Sequence, residues 1–306
     1  MFKKHAKLFA PSFGFNADEL NGRLAAGQYY LDMFNCRRLV HYLALGKPVG
    51  LRGEPGIGKS ELPERMAALL GAQLIDIECH SQLEASDIGV SWNAYRQIVD
   101  AQTKQMKGEP FSLPYLNKTP LLSCLLAEAP VVLRIDEIDK LNETTSNFFL
   151  RFLDKQELVI HDLAEEANVL RAKTDIYVFL TSNDYRLLDP ALMRRIAWME
   201  LSFPDEQRLA QIITAKTPAS TDVARRIAYV VMRLRQLELR KKPSIGEVLD
   251  WTRALCQASD GALTLDAIHV TLGLLLKYAD DEKKGWEAIQ SWVDQQTQDF
   301  ARTRKP

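Results

Sequence analysis

The segment GEPGIGKS, Gly53 to Ser60, constrains this chain more than any other stretch of it. It fits the pattern GxxxxGK[ST] at every fixed position. By composition alone that pattern arises in roughly one 300-residue chain in a hundred. Here it also follows a short apolar piece, PVGL, and opens an amphipathic run, SELPERMAALLG. Its glycines let the backbone turn so that N–H groups point inward at phosphate oxygens. A helix beginning near Lys59 adds its positive dipole end. Gly53, Glu54, Pro55, Gly56, Ile57, Gly58, Lys59 and Ser60 are therefore the candidate phosphate cradle. Lys59 suits the β- and γ-phosphates, and the Ser60 hydroxyl suits Mg²⁺.

A chain built around such a loop needs a strand before it and a helix after it, and the remaining pattern extends that alternation. GAQLIDIEC (71–79), APVVLRIDE (129–137) and DIYVFLTSN (175–183) read as strands. The last two are near-continuous apolar runs, as expected of strands buried on both faces. The one oddity within them is Arg134. Helical spacing in TPLLSCLLAEA and NETTSNFFLRFLDK separates them, which predicts a parallel sheet flanked by helices. From about Pro204 onward every segment has helical spacing and none reads as a strand. Ser244 and Glu247 fit a capping box there. The expected organisation is an arm over 1–30 rich in phenylalanine, an α/β core over 31–204 and an all-helical domain over 205–306.

In an open parallel sheet, ligands bind beyond the carboxyl ends of the strands, so residues closing the buried runs face the loop. Asp136 is suited to hold Mg²⁺, and Glu137 to take a proton from an attacking water. Asn183, closing the third run, is placed to orient that water, although asparagine is also an ordinary turn residue. Asp139 reads as a plain surface acid. The adjacent arginines of LDPALMRRIAW, Arg194 and Arg195, end a short helix-like run, where cations suit the negative end of the helix dipole.

Together these residues resemble the AAA+ ATPase superfamily from about Asp32 to the helix at 244–258. Its Walker A, Walker B and sensor 1 elements correspond to Gly53–Ser60, Val131–Glu137 and Asn183. LRFLDKQELVIHDL (150–163) is similar to a helix and hairpin of the MoxR group. SWNAYRQIVDAQ and PSIGEVLDWTRAL are similar to its subset associated with maturation of molybdenum-containing carbon monoxide dehydrogenase. The resemblance implies ATP and Mg²⁺ as cofactors, a homo-oligomeric ring, usually a hexamer, and a helical lid. It also implies a von Willebrand factor A domain partner and a protein client. Arg195 aligns with the arginine that such proteins lend to the neighbouring subunit's γ-phosphate, with Arg194 the close alternate. Relatives often carry an arginine where this chain has Ser244; Lys242, two residues earlier, is the substitute. The long interval between Lys59 and Asp136 leaves room for an insertion near 84–120, whose Trp92 and Tyr95 either contact a client or are packed in a loop.

Composition narrows the function classes. A formal net charge of -1 gives no overall field to hold nucleic acid. A DNA-associated motor of the same fold is thus the weaker alternative, and an ATP-gated scaffold with negligible turnover is another. No run of about 18 apolar residues predicts a membrane span. Four well-separated cysteines read as reduced thiols of a cytoplasmic protein.

Overall fold

The computed structural model describes residues 13–106, 108–163, 168–258 and 264–303. Its strands are β1 (Val49–Arg52), β2 (Gln73–Glu78), β3 (Val131–Asp136), β4 (Glu157–Val159), β5 (Val169–Arg171), β6 (Ile176–Ser182) and β7 (Ala197–Glu200). Five of them form one parallel sheet in the order β2-β3-β6-β1-β7, and β4 and β5 form an antiparallel hairpin. Position in the sheet explains composition. Central β6 is buried at every residue, whereas edge β2 is fully buried only at Ile77. β7, the other edge, went unread in the sequence because it is only four residues long and ends in Glu200. Its Trp198 lies beside Gly50 in register. A Cβ on Gly50 would meet the Trp198 ring at 2.3 Å, so glycine is what lets the indole lie across β1.

The helices are α1 (Ala17–Ala26), α2 (Met33–Ala44), α3 (Glu61–Leu70), α4 (Ala85–Ile88), α5 (Ala94–Gln102), α6 (Pro120–Leu126), α7 (Glu143–Lys155), α8 (Pro190–Met193), α9 (Glu206–Lys216), α10 (Thr221–Leu234), α11 (Ile245–Ala258), α12 (Leu265–Leu275) and α13 (Ala279–Thr303). Many begin where the local chemistry dictates. Asn16, Asp32, Asn142, Asp205, Ser220 and Thr264 each cap the following helix by accepting a backbone N–H, a contact worth about 1 kcal/mol.

The chain divides into two compact units, residues 1–53 with 59–201, and 54–58 with 202–306. The first holds the sheet. Val131, Leu133 and Ile135 of β3 pack with Ile176, Val178 and Leu180 of β6 and with Phe149 and Phe152 of α7 in one buried cluster. Truncating such a side chain to alanine costs about 2–5 kcal/mol. α1 belongs to this unit, with Leu20 and Leu24 buried, and Phe13 sets its ring edge-on to Tyr177 of β6. The latter part of the expected arm thus docks on its own chain; residues 1–12 lie outside the described residues.

In the insertion, Trp92 pairs antiparallel with Leu116 and its indole donates to Asp162 Oδ2 at 3.1 Å. Tyr95 is 80% exposed, so of the two aromatics only Trp92 is packed. The second unit contains α9 to α13. Trp251 of α11 is fully buried and donates its indole N–H to Thr271 Oγ1 at 3.0 Å. No described helix is long and apolar enough to cross a membrane.

Candidate functional site

β1 runs into the glycine loop, and three glycines there have positive φ: Gly53 at 140°, Gly56 at 76° and Gly58 at 91°. A side chain at any of them would be strained. Within the second unit, Gly56 is also crowded, because a Cβ there would lie 2.3 Å from Ser244 Cβ. The Ile245 N–H donates to the Gly56 carbonyl at 3.0 Å. Lys242 Nζ lies 3.5 Å from Glu54 Oε1, on the side chain that precedes Pro55. The loop thus rests on the first residues of α11. The capping box read from the sequence is formed: Ser244 N–H donates to Glu247 Oε2 at 2.9 Å, and Glu247 N–H to Ser244 Oγ at 3.2 Å.

In the first unit the parallel register brings the ends of β3 and β6 together, and the polar residues there form a closed set of bonds. Lys59 is buried, and its ammonium donates to the Gly53 carbonyl and to Asn183 Oδ1, each at 2.7 Å. Burial pushes its pKa below the usual lysine value, although Asp136, Asp139, Asp184 and Glu137 pull the other way. Asn183 Nδ2 donates onward to Glu137 Oε1 at 2.8 Å. Asn183 therefore bridges the loop lysine and the acid, a role more specific than the lateral orientation of water read from the sequence. Ser60 Oγ donates to Asp136 Oδ1 at 2.8 Å.

Glu137 occupies the left-handed region, with φ 55° and ψ 50°. For a glutamate that costs on the order of 1–3 kcal/mol and has to be held by its surroundings. Thr181 supplies part of the hold. Its hydroxyl accepts the Glu137 N–H at 2.8 Å and donates to Asp136 Oδ1 at 2.6 Å. Lys140 forms an ion pair with Glu137 Oε2. Asp139, read as a surface acid, is instead 1% exposed. Its Oδ2 accepts N–H groups from Asn183 at 3.2 Å and Tyr185 at 2.7 Å, and this ties the turn after β3 to the end of β6. Arg186 reinforces that tie by donating to the Asp139 and Leu141 carbonyls and to Ser146 Oγ. Thr181, Asp139 and Arg186 were not legible as site residues, because each acts through a partner distant in the chain.

Arg194 and Arg195 meet a different environment. Arg195 Nε pairs with Asp154 Oδ2 at 2.7 Å, and its Nη1 donates to the Ala191 carbonyl at 2.7 Å. Arg194 is exposed and donates Nε to the Pro190 carbonyl at 3.2 Å. Both contribute to the cap of α8, the bland reading of the pair.

These donors suit a nucleotide with Mg²⁺. Ser60 Oγ and Asp136 Oδ1 converge as hard oxygen ligands of the kind that ion takes beside phosphate oxygens. Lys59 adds a buried cation of the kind that takes phosphates. Sheet order and site together define a P-loop nucleotide-binding protein of the AAA+ class.

The family described as AAA domain (dynein-related subfamily) matches residues 48–196. Gas vesicle ATPase GvpN of Ancylobacter aquaticus is 25% identical over 207 residues, covering 65% of this chain and 57% of that protein. Protein CbbQ of Hydrogenophilus thermoluteolus is 21% identical over 196 residues, covering 62% of this chain and 66% of that protein. Denitrification regulatory protein NirQ of Pseudomonas aeruginosa is 22% identical over 198 residues, covering 63% of this chain and 69% of that protein. Together these similarities support a MoxR-like AAA+ ATPase. The chain spans little more than half of the gas vesicle protein.

Proposed function

We propose that this chain hydrolyses ATP as its Mg²⁺ complex and uses turnover to remodel or mature a protein client. The observation that carries the reading is the bridge from Lys59 through Asn183 to Glu137. It joins a phosphate-seeking cation to the acid best placed to serve as base. In this reading the loop amides and Lys59 bind the phosphates, while Ser60 and Asp136 hold Mg²⁺, which supplies charge neutralisation for phosphoryl transfer. Asn183 fixes Glu137, and Glu137 accepts a proton from the attacking water. Lys242, beside Glu54 in the segment before α11, approaches the nucleotide.

The chain acts as a ring of like subunits, of which a hexamer is the expected form. Arg195 or Arg194 of one subunit serves the nucleotide of the next, as in other phosphoryl-transfer enzymes that receive an arginine in trans. The client is a protein, reached with a von Willebrand factor A domain partner, and the similarity to the carbon monoxide dehydrogenase maturation subset favours a client whose metal centre is being completed. The names of relatives lend support at a coarser level: one is an ATPase of gas vesicles and one a regulator of denitrification.

Glu137→Gln tests the reading. It leaves the binding groups in place and removes the base, so ATP should remain bound while turnover disappears. Normal turnover by that variant would remove Glu137 from its role. Proteins that co-purify with Glu137→Gln in ATP would identify the client, and a rise in specific activity with protein concentration would mark assembly of shared sites.

A further inference from the structure

Arg134 is the charged residue inside the otherwise apolar body of β3, and neither the phosphate cradle nor the acid pair accounts for it. Two observations give it a purpose. Its Nη1 donates to the Ser60 carbonyl at 2.7 Å and to Glu64 Oε1 at 2.6 Å, while its Nε lies 2.7 Å from Asp76 Oδ1. Asp76 is its register partner on β2. Two residues further along β3, on the same face because side chains alternate, Asp136 accepts the Ser60 hydroxyl at 2.8 Å. One strand therefore grips Ser60 at both ends, by the carbonyl through Arg134 and by the hydroxyl through Asp136.

The charges around the guanidinium say what it does not do. Two carboxylates face it, and the donors it uses are spent on them and on a backbone carbonyl. Such a group adds no net positive charge for a phosphate. Its effect is geometric: it fixes where α3 begins and hence where the Ser60 hydroxyl points. We infer that Arg134 is a positioning residue for the divalent cation, acting by holding Ser60 against Asp136. This rests on the nucleotide and Mg²⁺ reading above. Outer-shell residues that orient a ligand typically change metal affinity by about 10–100-fold, and Arg134 should act in that way on the metal while leaving the amide cradle untouched.

The experiment measures affinity for a fluorescent ATP analogue in EDTA and again across a Mg²⁺ titration, so that the readout is binding rather than turnover. Arg134→Met should keep the affinity in EDTA and need about tenfold more Mg²⁺ to reach the metal-dependent increase. Arg134→Lys, which can still reach a carbonyl, should fall between. Glu64→Gln combined with Asp76→Asn leaves the guanidinium on Ser60 and should keep the wild-type Mg²⁺ requirement; it also serves if Arg134→Met does not fold. An Arg134→Met protein with the wild-type Mg²⁺ requirement overturns the inference, as does one that loses affinity equally in EDTA. So does a double acid variant that loses the Mg²⁺ response while its EDTA affinity is intact. A wild-type chain that ignores nucleotide altogether would instead overturn the reading beneath it.

Discussion

The ends of β3 and β6 and the turn carrying Arg194 and Arg195 contrast in how their charges are used. At the strand ends the functional groups are tied to one another: Lys59 to Asn183, Asn183 to Glu137, Ser60 and Thr181 to Asp136. At the turn the cations are tied to scaffold, Arg195 to Asp154 and to an α8 carbonyl, Arg194 to another. The first region is organised by its own side chains, and such preorganisation lowers the reorganisation needed in a transition state. The bonds of the second go to scaffold, and the role proposed above in a neighbouring subunit would draw on these same cations. Under that proposal Arg195 would have to give up an ion pair to reach across, whereas exposed Arg194 has no acid partner among the described residues.

The largest expected effect breaks the first half of that contrast. Lys59→Ala removes the buried ammonium and, on the proposed reading, its charge-assisted contacts to phosphate oxygens, of about 1.5–3 kcal/mol each. Nucleotide affinity by fluorescence titration should fall by about 10²-fold or more. An unchanged affinity would mean that the strand-end network is only structural.

Next comes the arginine pair. Replacing the residue that acts in trans should leave ATP binding intact and slow turnover by about 10³-fold, by analogy with other arginine fingers. The two substitutions differ in their effect on the fold. Arg195→Ala also removes a partly exposed ion pair, a loss of about 1 kcal/mol or less, while Arg194→Ala loses only an exposed contact to the Pro190 carbonyl and should lower the melting temperature less. Mixing the inactive arginine variant with Glu137→Gln subunits restores some activity only if sites are shared between chains. A single arginine variant with normal turnover assigns the role to its neighbour; if both turn over normally, the α8 cap is the whole function of the pair.

A smaller effect belongs to Thr181, which links the two acids. Thr181→Val keeps the shape of β6 but leaves the Glu137 N–H without its acceptor, at a cost of about 1–3 kcal/mol. The melting temperature should drop by about 2–4 °C per kcal/mol, and turnover should fall more than ATP affinity, because Glu137 loses the contact that holds its left-handed backbone. Equal losses in both would make Thr181 a general support of the fold.

How much of this could be read beforehand follows from the range of each interaction. The loop, the buried runs that became β3 and β6, and the helical character beyond Pro204 are encoded in neighbouring residues, and they are legible. Thr181 is not, since a threonine inside an apolar run gives no sign that it will sit between two acids of another strand. Asp139 looked like a surface acid because its partners, the Asn183 and Tyr185 amides, lie more than forty positions away. α1 was hidden for a different reason: its burial rests on few apolar positions, among them Leu20 and Leu24, and the phenylalanines around it distracted from the short helix that Asn16 caps. Arg134 was visible as an anomaly, and its meaning waited on the fold that brought Ser60, Glu64 and Asp76 around it.

The smallest effect sharpens the contrast from the side of the loop. Ser244 caps α11 and also packs against Gly56, so one side chain serves a helix end and the phosphate cradle together. Ser244→Ala should cost about 1 kcal/mol as a cap, and its Cβ still fills the space beside Gly56, so nucleotide affinity should hold. Its capping partner makes the same point through pH. Burial raises the Glu247 pKa, but hydrogen bonds from Lys241 and from the Ser244 N–H and hydroxyl outweigh it and hold the carboxyl below the usual glutamate value. A carboxylate whose pKa is depressed by folding stabilises the native state fully above its unfolded pKa, near 4.3. That contribution is lost as the pH falls through the depressed value. Glu247→Gln should therefore melt earlier than wild type at neutral pH, with the gap closing as the pH is taken below about 4. If the gap stays constant across that range, the bond from Ser244 does not depend on the charge of Glu247, and the start of α11 is held by packing against the loop.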